Sequence, residues 1–390
     1  MINVLYVFCS TNFSGAEIVM ERLILKNEEV NAICLCPPGE FADRLKMKGI
    51  VVVEENALTS LDRNNVRYSK LILLLIVLRK ISRINYRVVK ILAQNRIQII
   101  HGNNLGAAFY ILPLRITRFL FSPKLKCIWS NHDLSYPNGK QSEFLARTCV
   151  RFFNRTIVVS QAVKNKFPKS YADRIEVLYN GLDSSVFAFD LNKRRNFRIS
   201  NNILDKEIAI GIIGLISERK GHHLLINQFF ELSKKHIGLK LLIIGRFNSS
   251  EKKFQELISK EIEKFGNTKI QLKSHTDNIV EAYCGLDIVV NCSLPLLSEP
   301  LGTTIYEAMA CERIVLASDT GGSPEIVSDN DDGFLFKAGD ENDLYRKIDY
   351  IIREDYLILK QMQIRARKKA IEKFSIDKMK NNYNLILNKL

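Results

Sequence analysis

Two glutamates eight positions apart, Glu299 and Glu307, bracket the run EPLGTTIYE. The strand-like segment DIVVNCS ends at Ser293, a loop with Pro295 and Pro300 follows, and helical pattern begins near Gly302 in TTIYEAMA. At such a start the backbone N–H groups of Leu301, Gly302, Thr303 and Thr304 have no intrahelical acceptor. They can bind phosphate or another electron-rich oxygen. One carboxylate precedes them and the other lies about one turn inside, so the pair would bracket an extended, phosphate-containing ligand. A second reading stays open, because Thr304 and Glu307 have capping-box spacing and Glu299 fits as an ordinary loop acid.

Cations for such a ligand occur in GIIGLISERKG, Gly211 to Gly221, between a strand and a helix. Gly214 permits close backbone approach, and Arg219 and Lys220 can face a diphosphate. The run has neither GxGxxG nor a Walker A pattern, so dinucleotide and P-loop chemistry are not indicated, and a basic surface turn is the alternative. The loop CSTNFSGAE, Cys9 to Glu17, offers backbone donors at Ser14, Gly15 and Ala16. IIHGNN and IWSNHD each place a histidine, His101 and His132, near the carboxyl end of a strand, where it can orient or donate to a reacting oxygen. Asn103 follows His101 on the same segment. No metal site is expected. Asp329 and Asp331 have DxD spacing but sit in the turn SDNDDG, and His222–His223 lacks partners at ligand spacing.

The elements that must hold these residues alternate along the chain. INVLYVF, VNAICLC, IVVVEE, IQIIH, KCIWSNH, RTIVVS and IEVLYNG are short apolar runs separated by helical patterns. IAIGIIG, KLLIIG, IQLKS, DIVVNCS, RIVLAS and GFLF repeat the scheme. This alternation predicts an α/β protein of two Rossmann-like, doubly wound parallel-sheet domains, with ligands at the carboxyl ends of strands in a cleft between them. The predicted boundaries are 1–187 for the first domain and 188–206 for a polar linker. The second domain is then 207–374, and 375–390 a closing helix able to pack back on the first.

The 390 residues suffice for two cores. Eight cysteines without CxxC pairs, mostly in apolar runs, read as reduced thiols of a cytoplasmic enzyme. Met1 runs straight into a strand pattern, so no secretory leader is expected, and the aliphatic run Leu71 to Leu78 is too short to span a bilayer. Charge is uneven: residues 1–180 hold 26 Lys and Arg against 13 Asp and Glu. From Arg63 to His132 there are 13 basic residues and no acidic one. In KLILLLIVLRKISRINYRVVKIL the basic residues Arg79, Lys80, Arg83, Arg87 and Lys90 accompany aliphatic ones. Such a surface suits anionic lipid headgroups and a peripheral place on the inner membrane face; a merely solvated basic face is the alternative. Aromatic stacking partners are sparse there, so nucleic acid is not expected.

Taken together, SGAE near the amino terminus, His132, NGLDSSVF, the Lys220–Gly221 loop, EPLGTTIYEAMA and SDTGGSPE resemble the GT-B glycosyltransferases of family 4 over nearly the whole chain. The resemblance implies a retaining, metal-independent hexosyltransferase that takes a sugar from a UDP-sugar or GDP-sugar, with no cofactor besides this donor substrate. It implies Glu299, His132 and Lys220 as catalytic residues. The donor would be held by Ser14, Gly15, Gly214, Arg219, Lys220, Gly245, Arg246, His275, Glu299, Leu301, Gly302, Thr303, Thr304 and Glu307. His101 and Asn103 would face a saccharide acceptor, lipid-linked if the basic stretch marks a membrane surface. One departure is Leu215, where the family has Arg after the first Gly of the loop. Two other classes compete: a nucleotide-sugar 2-epimerase of the same architecture and a non-catalytic polyanion-binding protein.

Overall fold

The computed structural model describes residues 1–11, 15–59, 70–121, 125–134, 139–248, 250–264, 269–273 and 278–390. The chain divides into two compact units, Met1–Gly181 with Ile376–Leu390, and Leu182–Ser375.

Among the described residues, the first unit is built on seven strands: β1 (Ile2–Val7), β2 (Val30–Cys36), β3 (Val51–Glu54), β4 (Ile99–Asn103), β5 (Lys126–Asn131), β6 (Arg155–Val158) and β7 (Ile175–Val177). They lie in the order β3-β2-β1-β4-β5-β6-β7, every pair parallel. Both faces are covered by helices, which explains why β4 and the last four residues of β1 are wholly buried and read as continuous apolar runs. The final helix, Ile376–Asn388, belongs to this unit. It packs against the helix Gly15–Lys26, and its Asn384 exchanges amide hydrogen bonds with Asn27 at 2.7 and 3.2 Å.

The second unit has six described strands: β8 (Ile208–Ile213), β9 (Leu239–Ile244), β10 (Ile270–Lys273), β11 (Ile288–Asn291), β12 (Ile314–Ser318) and β13 (Phe334–Phe336). Their order is β10-β9-β8-β11-β12-β13, again all parallel. In each unit the order reverses once, between β1 and β4 and between β8 and β11. The loops leaving those strand ends diverge and open a crevice there. The helix Tyr356–Phe374 closes this unit by stacking Phe374 on Tyr306, with ring centroids 4.8 Å apart.

The stretch read as a polar linker, 188–206, is not a bare connection. Residues Leu191–Ser200 form a helix capped by Asp190, whose carboxylate accepts from the Lys193 amide at 2.9 Å. That helix packs on the helix Ile279–Gly285. The buried Arg198 donates to the carbonyls of Leu204 and Glu207, both at 2.6 Å, and to Asp287 at 3.1 Å. Its charge made the segment look solvated, yet the guanidinium spends it on carbonyls and one carboxylate. Residues 182–187 also fall in the second unit, with the Leu182 amide bonded to the Phe374 carbonyl at 2.8 Å.

Candidate donor site

The reversal between β8 and β11 brings two sequence-distant loops together. After β8 the chain makes one turn of 3₁₀ helix, Glu218–Lys220, and starts the helix His222–Lys235 through Gly221. Gly221 has φ +65°, and a Cβ there would lie 2.2 Å from the Cys292 carbonyl oxygen, so only glycine lets the two loops touch. The Leu294 amide donates to the Arg219 carbonyl at 2.9 Å, tying the loops edge to edge. Across this seam the Lys220 ammonium forms an ion pair with Glu299 Oε1. Both side chains are largely buried, and Asn291 at the end of β11 donates its amide to Glu299 Oε2 at 3.2 Å.

Burial pushes the Lys220 pKa down to about 7, and the neighbouring Arg219 charge pushes the same way; Glu299 is the counter-charge beside it. A poorly hydrated ammonium of this kind binds a phosphate oxygen more strongly than an exposed lysine does. Arg219 is half-buried and has no carboxylate partner among the described residues. Leu215, in the family's arginine position, is 43% exposed and offers no charge.

Glu299 is also fixed from behind. In the turn after β12, a Cβ on Gly321 would lie 2.1 Å from the Glu299 carbonyl oxygen, and the Gly322 amide donates to that oxygen at 3.1 Å. In front of Glu299 the helix Thr303–Ala310 begins at Gly302, in the left-handed region at φ +80°, with no side-chain cap. A Cβ on Gly302 would stand 3.2 Å from Glu299 Oε2, which puts the carboxylate at the helix start. Among the described residues nothing accepts from the amides of Thr303 and Thr304. The capping-box alternative therefore falls. Glu307 does not reach back to the start of the helix but accepts from the Tyr283 hydroxyl at 2.9 Å.

The structure thus gathers Lys220, Glu299, Gly302, Thr303 and Thr304, with Arg219 and Leu301 adjoining in the chain. Gly214 and Gly245 sit at the carboxyl ends of β8 and β9, with the Gly214 carbonyl against the Gly245 backbone. Arg246 follows, exposed. His275 and Ser14 lie outside the described residues. The DxD pair stays structural: Asp329 accepts from Lys347 at 3.1 Å, and Asp331 pairs with Arg365 at 2.8 Å. Two supports went unnoticed in the sequence, Asn291 behind Glu299 and Tyr283 behind Glu307. Asn291 closes an otherwise apolar strand, IVVN, and that break in hydrophobicity was the available signal. Tyr283 gave none, because its pairing with Glu307 exists only in three dimensions.

In the first unit, Gly15 opens the helix Gly15–Lys26 and is exposed, with nothing within 4 Å of a Cβ placed there. The expected acceptor role of His101 is corrected. It lies inside β4 rather than at its end, is fully buried, and has both ring nitrogens engaged, Nδ1 with Tyr383 at 2.7 Å and Nε2 with Ser130 at 2.6 Å. Burial, aided by His132, lowers its pKa to about 3, so it is a neutral core residue that ties the final helix to the sheet. His132 follows β5 and is half-buried; its Nε2 bonds to Oδ1 of Asn103, the last residue of β4, at 2.6 Å. An accepting Oδ1 puts the proton on Nε2 and leaves Nδ1 as an acceptor. Burial brings the His132 pKa to about 4, so the ring is neutral at ordinary pH.

Comparison with known proteins agrees with this architecture. The fold is that of the GT-B class, shared over 100% of both chains with Anabaena HepE (TM-score 0.82, 21% identity), solved with UDP and also with UDP-glucose. Residues 193–372 match the family described as glycosyl transferases group 1, and residues 21–186 match glycosyltransferase family 4. The chain belongs to this glycosyltransferase family. Its relatives include the capsular polysaccharide biosynthesis glycosyltransferase CapM of Staphylococcus aureus, 27% identical over 59% of this chain and 61% of that protein. Another is the alpha-maltose-1-phosphate synthase of Mycolicibacterium smegmatis, 23% identical over 70% and 72%. The chain spans 57 to 61% of the length of the first three curated relatives it matches.

Proposed function

We propose that the chain is a retaining glycosyltransferase that moves a hexose from a UDP-sugar or GDP-sugar to a saccharide acceptor in the synthesis of a surface polysaccharide or glycolipid. The observation that carries this reading is the seam at the β8–β11 reversal, where the Lys220–Glu299 pair meets the open amides at the start of Thr303–Ala310. Cleaving a glycosyl–phosphate bond leaves positive charge on the sugar and negative charge on the departing diphosphate. Lys220, Arg219 and the amides of 301–304 are the groups of this chain that stabilise that diphosphate. Glu299, held beside Lys220, accepts from donor-sugar hydroxyls, and Glu307, steadied by Tyr283, receives the ribose. His132 presents a neutral ring to orient the sugar. Retention follows from front-face attack, in which the leaving phosphate oxygen takes the acceptor's proton and no carboxylate nucleophile is required.

UDP is favoured over GDP because HepE was solved with UDP and UDP-glucose. The polysaccharide setting is supported by CapM. The acid-free, basic stretch 63–132 supports a lipid-phosphate-linked acceptor at the inner membrane face, with the chain peripheral there.

A thermal-shift screen against UDP, GDP, ADP and TDP and their sugars tests the donor. A UDP series that raises the midpoint is expected, and no shift with any nucleotide overturns the reading. Glu299→Gln should keep that shift while transfer falls by about a hundredfold or more. Unchanged turnover in the variant sinks the assignment.

A further inference from the structure

The helix Lys70–Asn95 carries a feature the donor site does not use. Leu71, Leu74, Leu75 and Leu78 recur at helical spacing and are 67, 53, 57 and 52% exposed. Tyr86 and Val89 continue the same face about two and three turns further on, at 71 and 38%. The opposite face is packed, with Ile84, Val88 and Ile91 buried. The helix is held in that orientation by side chains as well. Arg83 pairs with the buried Glu55 at 2.8 Å, Lys80 donates to Thr59 Oγ1 at 3.1 Å, and Asn85 donates to the Tyr110 carbonyl at 3.2 Å. The outward leucines are therefore presented by a docked helix, not by a fraying end. Arg79 adjoins Leu78 and Lys90 adjoins Val89 on this face, both exposed and without an ion-pair partner among the described residues.

We propose that this face docks on an anionic lipid bilayer, with the four leucines among the acyl chains and Arg79 and Lys90 on headgroup phosphates. A helix that is apolar on both faces needs a second apolar surface to cover the outer one. Its basic residues rule out crossing the bilayer, and no described helix is long and apolar enough to do so. Lying in the interface, roughly 5–10 Å deep, satisfies both the leucines and the cations. Charge selects the occupant. A second copy meeting this face about a two-fold axis would add its own Arg79 and Lys90 to the same patch and double its positive charge, whereas an anionic surface neutralises it. The proposal rests on the reading that the acceptor is lipid-linked, and it names the surface that brings the enzyme to it.

Flotation of the full chain with vesicles of phosphatidylcholine alone, and of phosphatidylcholine with equal phosphatidylglycerol, tests this directly. The chain should float with the anionic vesicles at low salt. Leu71→Ser/Leu74→Ser/Leu75→Ser/Leu78→Ser should lower binding by tenfold or more, and Arg79→Gln/Lys90→Gln by about tenfold, the latter deficit shrinking at high salt. Since the changed side chains are exposed, the UDP thermal shift should be unaltered, which separates this outcome from failure of the donor site. A Leu75→Trp variant whose emission moves to shorter wavelength on adding anionic vesicles gives an independent readout. The proposal is overturned if the chain does not float, if the four-leucine variant floats like the parent, or if the leucine changes only turn a dimer into a monomer in sedimentation.

Discussion

Lys220 is where residue chemistry and burial meet. Its pKa of about 7 lies well below that of a free lysine, so in the ligand-free protein the ammonium is lost as pH rises through neutrality. A diphosphate binds the protonated form, and its own phosphates are already ionised in that range. UDP affinity should therefore fall as pH rises above about 7, by up to tenfold per unit, and titration calorimetry should detect proton uptake on binding. Lys220→Arg keeps its charge and should flatten the profile between pH 7 and 9; an equally steep profile in the variant would assign the titration elsewhere. His132 does not contribute there, being neutral above about pH 4. His101 shows how far sequence reaches at this scale. IIHGNN gave no sign that the strand runs two residues beyond the histidine, and no sign that Tyr383, distant in sequence, takes its Nδ1.

Elements were read with uneven success, and charge explains the difference. Strands such as β1 and β12 announce themselves because burial on both faces demands continuous apolar side chains. The helix Leu191–Ser200 was hidden in LNKRRNFRIS, where basic residues outnumber apolar ones. It is held by Arg198, which joins the Leu204 and Glu207 carbonyls to Asp287, and by Arg194, which donates to the same carboxylate at 2.7 Å. Arg198→Ala removes the buried guanidinium from those carbonyls, while Asp287 keeps Arg194 and the Ala209 amide, and should cost about 3 kcal/mol in urea unfolding. A loss below about 1 kcal/mol would mean that water replaces the guanidinium and that the helix is held by Arg194 on Asp287 and by Phe197, which packs against Gly285.

At the scale of the whole molecule, the proposed donor site and the proposed membrane-docking face lie in different units, the first in Leu182–Ser375 and the second in Met1–Gly181. Hydrogen exchange should separate them: UDP should slow exchange in 214–221 and 299–307 and leave 70–95 unchanged, while anionic vesicles should do the reverse. A common response to both ligands would contradict that division. The residues alone determined the α/β alternation, the family and the position of Glu299, Lys220 and the Gly302 helix start. Each of these is written in local pattern: hydrophobic period, glycine and proline placement, and motif order. Tertiary structure decided which groups touch. The reversal of strand order joined Lys220 to Glu299, the neighbouring ends of β4 and β5 brought Asn103 to His132, and helix packing brought Tyr283 to Glu307 and His101 into the core. Such contacts depend on strands far apart in sequence lying side by side, and on desolvation that no single segment encodes.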